Sequence, residues 1–371
     1  MSDHYIGLMS GTSVDAIDAV LVRFSGDTPH LIHAISYPWP DDLRRELLAT
    51  AVRPDTSIAT YARLDVECGL GFAAAAAQLL SQANVPAQRI RAIGSHGQTV
   101  LHVPYSTTPT SLQIGDPHRI AIVTGIAVVA DFRRRDMAVG GQGAPLAPLY
   151  HQALFSDERE SRAVLNLGGI ANLTLLPGGT GGHPSGFDTG PGNTLMDAWA
   201  ARHLDCPFDC GGAWAKSGTV NDELLGMLLN EPFFGLAPPK STGRELFNLE
   251  WLDARLHAFA EKTMPASDVQ ATLLALTVVS VADALRAHLP DVKRLLLCGG
   301  GTSNTVLVSK LASALPDVTI DSTESYGLHP DWVEASTFAW LAKQAIDGTP
   351  VNTPPITGAG RPVVLGVVYP A

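Results

Sequence analysis

Twice in this chain of 371 residues, about half its length apart, an apolar run enters a short turn of small residues and a second apolar run leaves it. Near the start, Ile6, Leu8 and Met9 lead into Ser10-Gly11-Thr12-Ser13, and Ile17, Ala19 and Leu21 lead away with strand-like alternation. From Ala163 the design returns as Ala163-Val-Leu-Asn-Leu-Gly-Gly-Ile-Ala-Asn-Leu-Thr-Leu-Leu176, with different identities. Both stretches predict β-hairpins. A repeat this long is not a solenoid unit; it predicts a duplicated α/β unit, with two phosphate-binding turns facing one another across a cleft. Turns of Gly, Ser and Thr let a polyphosphate approach backbone N–H groups without side-chain bulk in the way. Asp15 and Asp18 then offer carboxylates to a magnesium ion or its water shell. The same residues serve an ordinary tight turn equally well, and spacing alone does not choose.

The length is more than twice that of a usual single domain, so two lobes are expected, residues 1–160 and 161–371, with the last helix and tail free to pack back on the first. Apolar residues at 46% and charged residues at 16% describe a chain with ample core. A net charge of −11 argues against non-specific nucleic-acid binding, which needs a basic face, without excluding a nucleotide. Met1-Ser-Asp-His carries no basic leader, and the apolar runs near 120–130 and 271–281 fall short of the ~20 residues that span a bilayer. A cytoplasmic protein without a membrane partner is expected. Cys206 and Cys210, with His203, Asp205 and Asp209 nearby, have no second pair at metal-site spacing, so reduced thiols are the expectation.

Leu31–Ile35 reads as a third strand, Asp41 opens a helix, and Tyr61–Gln82 reads as a long Ala-rich helix ended by Asn84 and Pro86. Ile90–Ile93 is a strand running into Gly94-Ser-His-Gly-Gln-Thr99; His96 at its end is either a ligand contact or a satisfied core histidine. An apolar strand is expected over Ile120–Val129, followed by a loop from Asp131-Phe-Arg-Arg-Arg-Asp136 to Leu146. Three consecutive arginines cannot all face one way, so one or two point toward an anion, or all belong to a basic surface run paired with Asp131 and Asp136.

In the second half, Asp188 leads a Gly/Pro turn (Gly186-Phe-Asp-Thr-Gly-Pro-Gly-Asn193), with Asn193 or Thr194 capping the next helix. A carboxylate there is either catalytic or a cap. The loop Lys240-Ser-Thr-Gly-Arg244 offers donors to a substrate or to solvent. Ala271–Leu285 reads as a buried helix, and Arg294–Cys298 as a strand ending in Gly299-Gly-Gly301, where backbone can lie flat against a base and ribose, with Asn304 capping the next helix. Asp331–Ala342 reads as a helix whose Glu334 is a natural acidic first-turn residue, and Val363–Val368 as a closing strand.

The stretch Gly7-Leu-Met-Ser-Gly-Thr-Ser-Val-Asp-Ala-Ile-Asp18 resembles the signature that opens the anhydro-N-acetylmuramic acid kinases, of the sugar kinase/actin/Hsp70 ATPase superfamily; Ala16 stands where that family usually has Gly. The resemblance continues through Gly94–Thr99, the Asp131–Leu146 segment, Asp188–Asn193, Phe208–Gly218, Pro238–Phe247 and Gly299–Asn304. It implies a two-lobed actin-like ATPase (ribonuclease H-like) fold with ATP and Mg²⁺ between the lobes. It also implies phosphorylation of 1,6-anhydro-N-acetylmuramic acid with hydrolytic opening of the anhydro ring, in a homodimer of peptidoglycan recycling. By the same resemblance ATP meets Gly11, Thr12, Ser13, Val14, Asp15, Ala16, Ile17 and Asp18, then Asn166, Gly168, Gly169 and Asn172, and Gly299, Gly300, Gly301 and Asn304. Mg²⁺ falls to Asp15 and Asp18. His96, Gln98, Arg133 and Glu334 face the sugar, and Asp188 is the base, ionised at its ordinary carboxyl pKa without special tuning.

No Gly-x-x-x-x-Gly-Lys-Ser/Thr loop, Gly-x-Gly-x-x-Gly dinucleotide turn, Gly-x-Ser-x-Gly elbow or His-Glu-x-x-His helix occurs, which disfavours P-loop ATPases, dehydrogenases, serine hydrolases and zincins. Two rivals remain: a kinase for another sugar without ring cleavage, and an ATP-binding sensor or actin-like protein.

Overall fold

The computed structural model describes residues 4–52, 56–179, 182–259 and 264–371; Met1–Asp3, read above for a leader, lies outside them. The chain forms two compact units, Met1–Leu154 with Trp332–Ala371, and Phe155–Asp331.

The first unit is built on β1 (His4–Ser10), β2 (Ala16–Ser25), β3 (Thr28–Pro38), β4 (Ile90–Val103), β5 (Thr110–Ile114) and β6 (Val128–Ala130). They lie in the order β6-β4-β1-β2-β3, with β5 on β4 and the terminal strand Val367–Tyr369 beyond β6. β1, β2 and β3 are an antiparallel meander, while β4 and β6 run parallel to β1. The second unit has β7 (Arg162–Leu167), β8 (Ile170–Leu176), β9 (Ser185–Pro191), β10 (Arg294–Cys298) and β11 (Thr319–Ser322) in the order β11-β10-β7-β8-β9. Its pairings repeat the pattern: two antiparallel, two parallel. The repeat seen as two hairpins is therefore a repeat of a whole five-strand topology, the ribonuclease H-like arrangement duplicated in actin-like ATPases.

Helix Val333–Ile346 returns to the first unit and lies directly on β1 and β4. Gly7 and Gly94 face each other in register, and a Cβ on them would come within 1.9 Å of the Ala335 carbonyl oxygen and 2.0 Å of the Phe338 carbonyl oxygen. Backbone therefore packs on backbone there, which only glycine permits. Asp27, in the β2–β3 turn, accepts hydrogen bonds from Trp340 Nε1 and Gln344 Nε2, both 3.1 Å, and anchors the far half of the helix.

Several local expectations shift. Ile120–Val129 is not one strand: Asp116 caps a helix, Pro117–Thr124, Gly125 ends it at φ 66°, and only Val128–Ala130 pairs. Pro117 behind an Asp cap starts a helix that the apolar content conceals. The segment after Asp131 begins with a helix, Phe132–Ala138, not a loop. The closing strand is Val367–Tyr369, with Val363 only bridged to Val351. The expectation that no segment is long enough to span a bilayer is also corrected. Helices Ile58–Ala83 and Ala266–His288 are long and apolar enough, with 50% and 72% of their most apolar stretches buried inside the protein. Leu273, Leu274, Leu276 and Val281 of the second helix belong to the core of the second unit.

Candidate functional site

The β1–β2 turn closes with Val14 N donating to Gly11 O at 3.1 Å, and Val14, not Ala16, takes the positive φ (53°). Ala16 is the first residue of β2, so the methyl group that replaces the family's glycine meets no left-handed backbone. Gly11 is demanded neither by a left-handed φ nor by packing, since the nearest atom to a Cβ there is Ser13 Oγ at 3.8 Å. That leaves the turn open to a ligand's approach. Gln98 Nε2 donates to Gly11 O at 3.1 Å, so β4 holds the turn from below.

The two expected metal carboxylates have separate partners. Asp15 accepts from Arg44 Nη2 at 2.7 Å, and Asp18 accepts from Ser36 Oγ at 3.0 Å. Among the described residues no group of three or more His, Cys, Asp and Glu gathers for a metal. Asp18 acts electrostatically on Glu334, whose carboxyl is pushed up by burial first and Asp18 second, and drawn down by Arg133. Two acidic groups in one electrostatic neighbourhood are the hard-oxygen donor chemistry that suits Mg²⁺.

Of the three arginines, Arg134 and Arg135 are exposed and Arg133 turns inward. Its Nε and Nη2 donate to His96 Nε2 at 3.1 and 2.8 Å, and its Nη1 donates to Gly143 O at 2.7 Å. His96 Nδ1 sits 2.8 Å from Gly97 O and so carries the ring proton, leaving Nε2 as the acceptor. Burial, then the Arg133 charge, holds His96 neutral, well below the usual histidine range. Both nitrogens of His96, which the resemblance places toward the sugar, are engaged within the protein, and its Nε2 holds Arg133. Burial lowers Arg133 to about 10, against the opposing pull of Glu334 and Asp136, and it stays charged at neutral pH. Three of its five N–H groups are used, leaving one on each terminal nitrogen, which is what a carboxylate or phosphate takes.

In the second unit the Gly168-Gly169 turn between β7 and β8 is clasped by the segment after β9: Asn193 N donates to Gly168 O at 2.9 Å, and Gly192 N and Thr194 N donate to Gly169 O at 2.9 and 3.0 Å. Asn166 and Asn172 pair across this hairpin, and Asn172 Nδ2 reaches on to Asp188 Oδ1 at 2.8 Å. Asp188 Oδ2 accepts from Thr242 N at 2.9 Å. Asp188 lies within β9, six positions before the helix Thr194–Leu204, so the turn-and-helix-end placement read from sequence is corrected.

Its proton affinity is corrected too. Burial pushes the Asp188 carboxyl up to about 6, against the lowering bonds from Asn172 and Thr242 and the more distant Lys240. The bulk of β9 and the 240–244 loop cannot be read from a turn motif, because desolvation is a property of the packed neighbourhood. Sequence reading left the 240–244 loop between substrate and solvent and missed its hold on Asp188: Lys240 O anchors Asp188 N at 3.0 Å. Thr242 Oγ1, and Gln98 Oε1 in the first unit, are buried without a hydrogen-bond partner among the described residues, the condition a ligand hydroxyl relieves.

The Gly299-Gly-Gly301 turn divides its labour. A Cβ on Gly299 (φ 83°) would meet Asn166 Oδ1 at 2.3 Å, and one on Gly301 would meet Leu167 Cβ at 2.7 Å, whereas Gly300 faces open space. Gly212, whose Cβ would meet Asn304 Oδ1 at 2.2 Å, brings the Cys210–Gly212 segment against the same turn. Asn304 caps helix Thr305–Ala314 by accepting from Leu307 N at 3.0 Å. Gly211, like Gly300, has nothing within 4 Å of its Cβ position, and its carbonyl accepts from Thr305 Oγ1 at 3.3 Å.

The sequence matches the anhydro-N-acetylmuramic acid kinase family over residues 3–371. The chain belongs to this family. The curated kinase of that name from Xylella fastidiosa is 52% identical over 99% of this chain and 96% of its own length. The one from Coxiella burnetii is 50% identical over 99% and 97%. Among solved structures, component A of the (R)-2-hydroxyglutaryl-CoA dehydratase of Acidaminococcus fermentans covers 91% of this kinase chain, with 98% of its own chain covered, at 12% identity and a TM-score of 0.45. A ROK family glucokinase from Streptomyces griseus, in complex with glucose and AMPPNP, covers 92% with 99% of its own chain covered, at 12% identity and a TM-score of 0.40. The duplicated strand order, rather than these distant likenesses, defines the fold of this kinase.

Proposed function

We propose that this kinase transfers the γ-phosphoryl group of ATP to 1,6-anhydro-N-acetylmuramic acid and opens the anhydro ring with water, giving N-acetylmuramic acid 6-phosphate and ADP. The observation that carries this reading is Asp188, a half-buried carboxyl raised to about 6 and fixed through both oxygens. A base poised near the working pH is both ionised and able to keep a proton.

In the proposed reaction Asp188 takes a proton from water as the water oxygen bonds to the anomeric carbon. The anomeric carbon–O6 bond breaks, O6 bonds to the γ-phosphorus, and ADP departs. Arg133 binds the sugar's lactyl carboxylate or the γ-phosphate through its two remaining N–H groups. Gly11–Asp18, the Gly168-Gly169 turn with Asn166 and Asn172, and the Gly299–Asn304 turn receive ATP. Mg²⁺, when bound, neutralises charge on the phosphates; Asp18 would hold it, with Glu334 nearby and Asp15 only after leaving Arg44. A cytoplasmic homodimer serving peptidoglycan recycling completes the proposal, and sedimentation equilibrium at twice the chain mass is the result expected of the dimer.

The test is turnover in ¹⁸O-water with the anhydro sugar and a panel of ordinary amino sugars. The expected product is heavier by one phosphate and one water, with ¹⁸O on the sugar and none on the phosphate. Phosphate gain without water, or a better ordinary sugar, would leave a kinase without ring cleavage. Sugar-independent ATP turnover would favour the sensor reading.

A pH dependence follows. Asp188 must be ionised to act, so kcat should rise with pH and level off above an apparent pKa near 6. In Asn172→Ala a bond that favours the ionised form is lost, so this limb should move to higher pH. A limb that stayed in place, measured as kcat against pH for both proteins, would detach it from Asp188.

A further inference from the structure

We propose that Asp136 is a positioning residue for Arg133, acting through the single residue Gly143; the proposal rests on the reading that Arg133 grips a substrate anion. Asp136 is fully buried on the helix that carries Arg133, three residues further on. Its Oδ2 accepts from Gly143 N at 2.8 Å, and its Oδ1 accepts from Thr357 Oγ1 at 2.8 Å. The carbonyl of that same Gly143 accepts from Arg133 Nη1 at 2.7 Å.

One residue thus passes the constraint on: its N–H is fixed by Asp136, and its C=O fixes the guanidinium. The loop is shaped for this contact. A Cβ on Gly141 would lie 2.1 Å from Asp136 Oδ2, Gly143 sits at φ 72°, and Gly141 N donates to Asp136 O at 3.0 Å. Gln142 N donates to Thr357 O at 2.9 Å, so the loop is also tied to the Pro354–Thr357 turn. His96 alone fixes one edge of the guanidinium and leaves rotation about the Nε edge. The Gly143 carbonyl is the second point that sets its plane, and so the direction of the two N–H groups left for an anion. Asp136, far from being an exposed partner of the arginine run, is the buried end of this chain of contacts.

The experiment is a double-mutant cycle read as separate KM values for the sugar and for ATP, with Arg133→Ala defining which of the two Arg133 governs. Asp136→Ala should raise that same KM by about tenfold or more, leave the other within about twofold, and add nothing in the Arg133→Ala background. Asp136→Asn keeps an oxygen for Gly143 N–H and offers an amide to Thr357 Oγ1, so it should restore most of the loss. An equal penalty with and without Arg133 overturns the proposal, as does a rise in both KM values together. Should Asp136→Ala not fold, Thr357→Val, which removes one bond to the carboxylate, takes its place. The ¹⁵N signal of the Arg133 Nε–H reads the same geometry without substrate. Its solvent exchange should quicken about tenfold in Asp136→Ala and not in Asp136→Asn. If Arg133→Ala moves neither KM, the reading of Arg133 fails, and the exchange rate still decides Asp136: unchanged exchange overturns it.

Discussion

Asp188→Asn should lower kcat by roughly 10²–10⁴-fold, the range lost with a general base, while both KM values change little. Asn is nearly the same shape and keeps an oxygen for one of the two donors, Asn172 Nδ2 and Thr242 N, but it cannot take a proton from water. The folding consequence has a sign of its own. The folded carboxyl, at about 6, holds its proton more tightly than an unfolded one near 3.8. Its contribution to stability is therefore present below the unfolded value and is lost as pH rises through the folded one. Asn carries no such loss. The wild type should lose ground to the variant across that window in paired thermal melts, while being far more active above it. A variant that lost activity only because it melted would show the opposite pairing and would remove Asp188 from the chemistry.

Gly94→Val should cost on the order of 3 kcal/mol or more, the top of the range for overpacking a core. The added Cβ would meet the Phe338 carbonyl oxygen at 2.0 Å and its carbon at 2.7 Å, and neither backbone atom can swing away as a side-chain end could. The helix that must move carries Glu334, and its Phe338 ring lies 4.6 Å from the His96 ring that holds Arg133. Activity should fall with stability. Gly226→Ala is the control: Gly226 lies inside helix Asp222–Leu229 with nothing within 4 Å of its Cβ position, so Ala should stabilise by about 0.5–1 kcal/mol. Urea unfolding of the two variants compares them. Equal small shifts would mean that the helix does not rest on β1 and β4 as described.

Much of the fold was legible because its signals are local. The alternation of Ile17, Ala19 and Leu21, the Gly-rich turns, the Asn84 helix stop at φ 53° and the Asn304 cap each act over a few residues, so the duplicated hairpins and the longest helices could be read directly. The apolar stretch around Ile120 misled because composition there is uniform while the helix is set by Asp116 and Pro117 just ahead of it.

The family, likewise, was written in short motifs, and the match over residues 3–371 bears it out. What the sequence by itself determined is thus the strand-and-turn grammar of two ribonuclease H-like units and the family they belong to. Tertiary structure alone decided that 332–371 joins the first unit, that Arg133 and not its neighbours turns inward, that Gly300 faces outward while Gly299 and Gly301 serve packing, and that Asp188 holds its proton to about 6. The physical reason is common to all four. Close approach and desolvation depend on which distant residues meet, as Gly94 meets Phe338 and Asp188 meets Thr242, and no local pattern records how much water those meetings exclude.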